Sequence, residues 1–226
     1  NLRAAGVAAG DRVLIAAENR PEYPIAETAL LAIRAVPVPA YVTNTVDDHA
    51  HVLRDCGARA AIVSTTALAE RVAAAGPLDL LVTMDAAPIP GVRQLHFADL
   101  TTDTAAPDDI AAEAALIPGG ALACLIYTAG TGGAPKGVML PHRCILSNCR
   151  GAFALLRPLR RHDEVYLSYL PTSHSYEHTV GEFFLPSMGT EVGYSRGVEH
   201  LAANLLEVRP TIMTVVSVAS SIATHM

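Results

Sequence analysis

Short apolar runs alternate with helix-like stretches along most of this chain, and that alternation constrains its fold more than any other feature. Arg12–Ala17 is an apolar run that follows Gly10-Asp11, and Pro21 opens a helical stretch reaching Ile33, since proline is tolerated in a first helical turn. The pattern then repeats. Val36–Tyr41 reads as a strand, Asp47–Cys56 as a helix ended by Gly57, Arg59–Ser64 as a strand, Thr66–Ala75 as a helix ended by Gly76, and Leu78–Met84 as a strand. Strands separated by helices predict an α/β fold of layered αβα subdomains with mostly parallel sheets, because each crossover helix must cover a sheet face.

Between Asp85 and Gly120 the chain is rich in Ala, Pro and Asp, with one strand-like run at Val92–Phe97, so it reads as a connector. Alternation resumes with a buried strand at Ala121–Tyr127, a glycine-rich loop, a helix from about Arg143 to Leu156 and a strand at Glu164–Tyr169. A helix around Tyr176–Leu185, a strand at Glu191–Tyr194, a helix at Val198–Val208 and a strand at Thr211–Val216 complete the pattern. Two units follow: residues 1–120 as a first αβ subdomain with its connector, and 121–226 as a second that carries the glycine-rich loop.

The 226 residues carry a formal charge of −6, and their basic residues are scattered rather than gathered into a stripe, which excludes a nucleic-acid footprint. Charged residues, Pro or Gly interrupt every apolar run before membrane-spanning length, so no transmembrane helix is expected. Cys56, Cys124, Cys144 and Cys149 form no C-x-x-C pair, and no charged-then-apolar leader precedes Leu2. Buried free thiols in a reducing, cytoplasmic setting are the expectation.

The chemistry concentrates in Tyr127-Thr128-Ala129-Gly130-Thr131-Gly132-Gly133-Ala134-Pro135-Lys136-Gly137-Val138, read here as joining a strand to a helical region. Glycines let backbone N–H groups approach an anion, the two threonines offer hydroxyls, and Lys136 supplies a cation for polyphosphate oxygens. A Walker loop is excluded, because Pro135 and Gly137 flank Lys136 where Gly and a hydroxyl are required. A dinucleotide fingerprint is excluded too, since Pro135 stands where its last small residue belongs.

This segment resembles the phosphate-binding signature of the adenylate-forming superfamily, Y-T-S-G-T-T-G-x-P-K-G-V. Ala129 stands where the family has Ser, and Gly132 where it has Thr, so two phosphate-facing hydroxyls are lost. The resemblance implies that Thr128, Ala129, Gly130, Thr131, Gly132, Gly133 and Lys136 form the ATP phosphate site, with Thr128 facing a magnesium ion. Gly10-Asp11-Arg12-Val13, Asn19-Arg20-Pro21-Glu22, Pro37-Val38-Pro39 and Arg209-Pro210-Thr211 resemble further family segments. The fold implied is part of the N-terminal domain of the acyl-CoA synthetase-like fold.

Leu170-Pro171-Thr172-Ser173-His174-Ser175-Tyr176-Glu177 resembles the L-P-x-x-H-x-x-E segment of long-chain acyl-CoA synthetases. That likeness implies a catalytic His174 and an acyl site bordered by His174, Tyr176 and Glu177. The same residues with His178 also satisfy H-x-x-E-H, a zinc-hydrolase pattern. The departures at Ala129 and Gly132 also leave room for a non-catalytic nucleotide-binding or interaction module, and the motifs equally suit an acyl-AMP ligase that delivers to a carrier protein. The family's magnesium-binding Glu, ribose-binding Asp, hinge and catalytic Lys have no counterpart before Met226. The expectation is therefore a synthetase fragment, inactive alone, of an enzyme using ATP, Mg2+ and CoA with a fatty acid. Peripheral membrane contact and oligomeric state are left open.

Overall fold

The computed structural model describes residues 1–102, 109–129, 133–156, 163–195 and 197–215. Its first half is a five-stranded, all-parallel sheet of order β2-β1-β3-β4-β5, built from β1 (Arg12–Ala16), β2 (Val36–Pro39), β3 (Ala60–Val63), β4 (Leu80–Thr83) and β5 (Gln94–His96). Helix α1 (Glu22–Ala32) covers one face, and α2 (Val46–Cys56) with α3 (Thr66–Ala75) the other. Side chains alternate across a strand, so successive residues feed two cores. Leu14, Val38, Ala61, Val63 and Leu81 pack with Val52, Leu53, Leu68 and Val72 on one side. Val13, Ile15, Ile62, Leu80 and Val82 pack with Tyr23, Ala26 and Leu30 on the other. A strand buried on both faces reads as a continuous apolar run, which is why these strands are legible in the sequence.

Local chemistry sets the helix ends. In α2 the Thr45 side chain accepts from the Asp48 N–H while the Asp48 carboxylate accepts from the Thr45 N–H, closing a capping box. Gly57 ends the helix at φ 68°, a left-handed conformation that suits glycine.

The connector is more ordered than its composition suggests. Short helices α4 (Phe97–Thr101) and α5 (Ile110–Ala115) follow β5, with Phe97 buried in the core on the α1 side of the sheet. Both are shorter than a periodicity signal needs.

Beyond the connector the chain forms two small sheets. β6 (Leu122–Thr128) pairs antiparallel with β7 (Lys136–Pro141), and β8 (Val165–Ser168) pairs in parallel with β9 (Glu191–Tyr194). The glycine-rich segment is thus a hairpin loop, which corrects the strand-to-helix reading: a strand precedes helix α6 (His142–Leu156). The helix around Tyr176–Leu185 is instead composite, with α7 (Ser175–Glu177), a π-helical segment at His178–Phe184 and α8 (Leu185–Ser187). Val198–His200 is a 3-10 turn leading into α9 (Leu201–Val208), and the strand expected at Thr211–Val216 reduces, among the described residues, to one parallel bridge between Ile212 and Tyr166. Only Cys124 of the four free cysteines is buried, correcting the expectation for Cys56, Cys144 and Cys149. Among the described residues no helix is long and apolar enough to cross a membrane.

Candidate functional site

β6 is apolar and buried from Ala123 to Tyr127, so it fixes the start of the hairpin loop in the interior. At Thr128 the chain emerges. Thr128 and Ala129 are exposed, as are Gly133, Ala134 and Lys136 on the returning arm, and Thr128 pairs with Lys136 across the ladder. Gly133 has φ 96°, a left-handed conformation, and a Cβ there would meet no atom of the described residues within 4 Å. Gly130, Thr131 and Gly132 lie outside the described residues. Lys136 has no ion-pair partner among the described residues, so its ammonium is available to an incoming anion.

Two residues of α2 hold the hairpin from the side. The Tyr127 hydroxyl donates to Asp55 Oδ2 at 2.6 Å, and His51 Nε2 lies 2.7 Å from the Pro135 carbonyl oxygen. Burial, then the bond to Asp55, pushes the Tyr127 phenol well above its ordinary range, so it stays a neutral donor. Gly137 lies under the Tyr127 ring, where a Cβ would come within 3.0 Å of Cζ. The α2 contacts carry no sequence motif.

The second motif docks at the carboxyl end of β1. Asn19 Nδ2 donates to Ser168 Oγ at 3.1 Å and to the Leu170 carbonyl at 2.6 Å, and its Oδ1 accepts from the Thr172 N–H at 3.3 Å. In the sequence Asn19 is only one residue of a family likeness, and its role as the tie between the motifs emerges from the tertiary structure. His174 caps α7, its Nδ1 accepting from the Tyr176 N–H at 3.3 Å, and both side chains are exposed.

Glu177 faces the interior instead. It accepts hydrogen bonds from the Tyr166 hydroxyl at 2.7 and 2.8 Å, from Ser168 at 2.6 Å and from Thr214 at 3.2 Å. Its carboxyl is nevertheless raised, because burial outweighs those bonds. His178, fully buried, contacts Glu27 Oε1 of α1 through Nε2 at 2.6 Å. Glu182 is buried beside them with neither oxygen hydrogen-bonded among the described residues, and burial, then Glu27 and Glu177, push its carboxyl well upward. Glu177 and His178 are thus engaged in the interior while His174 points to the surface, so the H-x-x-E-H residues do not converge on one point. Among the described residues no group of three His, Cys, Asp or Glu side chains could hold a metal ion.

An exposed glycine-rich hairpin whose lysine has no ion-pair partner among the described residues, together with an L-P-x-x-H segment docked by Asn19, is the arrangement expected of an adenylate-forming domain. A sequence model described as AMP-binding enzyme matches residues 1–222. The chain belongs to the AMP-binding enzyme family. Within that family it is 31% identical over 212 residues to the long-chain-fatty-acid–CoA ligase FadD15 of Mycobacterium tuberculosis, covering 92% of this chain and 35% of the relative. It is 30% identical over 230 residues to long chain acyl-CoA synthetase 1 of Arabidopsis thaliana, covering 94% of this chain and 34% of the relative. The chain therefore spans about a third of the length of these AMP-binding relatives. Among solved structures, apo MbtA of Mycobacterium smegmatis superposes with a TM-score of 0.74 at 26% identity, over 95% of this chain and 40% of that one. A luciferase-like enzyme from the Zophobas morio mealworm gives 0.73 at 20% identity, over 95% and 49%, and shows the shared fold alone.

Proposed function

We propose that these residues form the nucleotide-facing part of an AMP-forming acid–thiol ligase that activates a fatty or related carboxylic acid and passes it to CoA. One observation carries the reading: the described ends of the loop between β6 and β7, Thr128, Ala129, Gly133 and Ala134, are exposed, and Lys136 at its rim has no ion-pair partner among the described residues, as a triphosphate-binding loop requires.

In the first step a carboxylate oxygen attacks the α-phosphorus of ATP, the bond to the β-phosphate oxygen breaks, and pyrophosphate leaves. In the second the CoA thiolate attacks the acyl carbonyl and AMP departs, the thiol proton going to solvent. Both steps need charge neutralised on the phosphates and the reactants held in line. Here Lys136 neutralises the tail phosphates, and the amide of Gly133 donates to them together with the assigned Gly130, Thr131 and Gly132. Magnesium, when bound, neutralises the same phosphates, and Thr128 is the residue of this span that would face it. The exposed hydroxyl of Thr128 and the space over Gly133, clear of the described residues, fit such a ligand. His174 and Tyr176 border the reacting carboxylate and the acyl chain, while Glu177, assigned to the same site, acts from beneath by fixing the turn that carries them.

The division at residue 120 belongs to this proposal, as does a cytoplasmic enzyme that touches membrane only at its periphery. The free cysteines support the location. The test is ATP–pyrophosphate exchange in the full polypeptide. Exchange that depends on fatty acid, with AMP release that depends on CoA, is the expected result. ATP binding without exchange would instead favour a non-catalytic nucleotide-binding module. Residues 1–226 alone, a third of the relatives' span, are expected to show no turnover.

A further inference from the structure

Helix α2 has no part in the motifs that the sequence displays, yet it grips the hairpin on both arms. His51 and Asp55 are one helical turn apart and share a face of α2. Asp55 accepts a hydrogen bond from the hydroxyl of Tyr127, one residue before the last residue of β6. His51 reaches the carbonyl of Pro135, the residue immediately before Lys136. Because a carbonyl only accepts, His51 carries its proton on Nε2 in this contact. The His51 and Tyr127 rings also meet edge to face, with centroids 6.1 Å apart and planes at 88°.

We propose that His51 and Asp55 are positioning residues for the phosphate loop, setting the separation and orientation of its two arms from the first core; this rests on the ATP reading above. The tether is stiff at its origin, because the intervening Val52 and Leu53 are buried in the main core. It is also stiff at its target. The Tyr127 ring is held against Gly137 in the directly paired position of β7, so moving the Asp55 end moves both strands. A loop held at both arms loses less conformational freedom when a polyanion binds, and that saving appears as affinity for the groups the loop contacts. Those groups are the tail phosphates, which ATP has and AMP lacks.

The distinguishing measurement is calorimetric titration of the full polypeptide with ATP and, separately, with AMP. His51→Ala is expected to weaken ATP binding by roughly 3- to 10-fold, as loss of one hydrogen bond implies, and to leave AMP within about 2-fold. His51→Gln, whose amide can donate to Pro135, and Asp55→Asn, whose carbonyl can accept from Tyr127, are expected to retain most of the ATP affinity. Should His51→Ala fail to fold, Tyr127→Phe, which removes only the hydroxyl, carries the same ATP-against-AMP comparison. Equal losses for both nucleotides, no loss for either, or His51→Gln behaving like His51→Ala would overturn the inference. An unsubstituted protein that binds neither nucleotide would refute the ATP reading itself and take the positioning role with it. A protein that binds ATP normally but ignores His51 would refute only the tether.

Discussion

The two halves of the molecule are built from the same alternation of strands and helices but close differently. In the first, five parallel strands are covered on both faces, and Leu14, Ile15, Ala61 and Leu81 are wholly buried. In the second, β6–β7 and β8–β9 are separate two-stranded sheets, and α6 buries only Ile145 while exposing Leu146, Phe153 and Leu155. Met139 of β7 is 67% exposed and Leu206 of α9 78%. An isolated two-stranded sheet is marginal in water, so the second half depends on what it leans against. It is held to the first half by packing and by polar ties: Leu125 and Tyr127 of β6 enter the α2–α3 core and Leu31 of α1 packs against Ala123, Cys124 and Ile126, while Asn19 meets the L-P-x-x-H segment, Glu27 the π-helical segment, and His51 with Asp55 the hairpin. Two-sided packing closes the first region, whereas in the second β6 is packed that way and the segments beyond it are aligned by specific hydrogen bonds.

The severest way to break that comparison is Glu27→Ala, which strands a buried imidazole. A loss of about 3–5 kcal/mol is expected, and it should appear in urea unfolding as early loss of the second half ahead of the first sheet. A single shared transition would show that the halves are not separately stabilised. The packing contrast comes next. Leu81→Ala is expected to cost about 2–5 kcal/mol by opening a cavity in the closed core, whereas Leu155→Ala, 75% exposed, should stay within about 0.5 kcal/mol. Equal costs would erase the distinction.

Gly137→Ala sharpens the account of the hairpin. Its Cβ would press on the Tyr127 ring at 3.0 Å, and a destabilisation of about 1–3 kcal/mol is expected, read from thermal unfolding. If stability is unchanged, the ring is free to move and the hairpin is not held as described.

In a pH titration, one buried group of the first half can be isolated by substitution. His49 on α2 is fully buried with neither ring nitrogen hydrogen-bonded among the described residues, and burial, with Arg71 adding to it, lowers its pKa to about 4 from an ordinary 6.5. The unfolded chain therefore binds this proton first. Its stabilising contribution is complete above pH 6.5 and is lost as the pH falls toward 4, on the order of 1–2 kcal/mol. His49→Phe should flatten that part of the curve, and an unaltered slope would assign it to other groups. Lys136→Ala is expected to change stability least, within about 0.5 kcal/mol, while reducing ATP affinity. A large stability loss would mean that the lysine serves the fold rather than a ligand.

Much of the first half is legible in the sequence because its signals are local. Helix Thr66–Ala75 falls where the sequence predicts it, and strands β1 to β4 lie within their predicted runs, since two-sided burial demands continuous apolar stretches. β7 escapes a sequence reading for the opposite reason. Lys136–Pro141 has no buried residue and contains glycine and proline, so its strand character comes from pairing with β6 rather than from its own composition. The Tyr176–Leu185 region reads as an ordinary helix, and nothing in its spacing announces the π-helical register.

The sequence by itself determined the α/β class and the order of the first sheet's elements along the chain, and it nominated the residues proposed to meet a polyphosphate, because burial periodicity, caps and glycine-rich loops are properties of neighbouring residues. Only the tertiary structure decided that Glu177 turns inward while His174 and Tyr176 face out, that Asn19 docks the second motif, and that α2 reaches the hairpin. Those outcomes join residues as far apart as 19 and 170 or 51 and 135. Which polar group meets which across such distances follows from packing the helices on the sheet, and no local pattern encodes it.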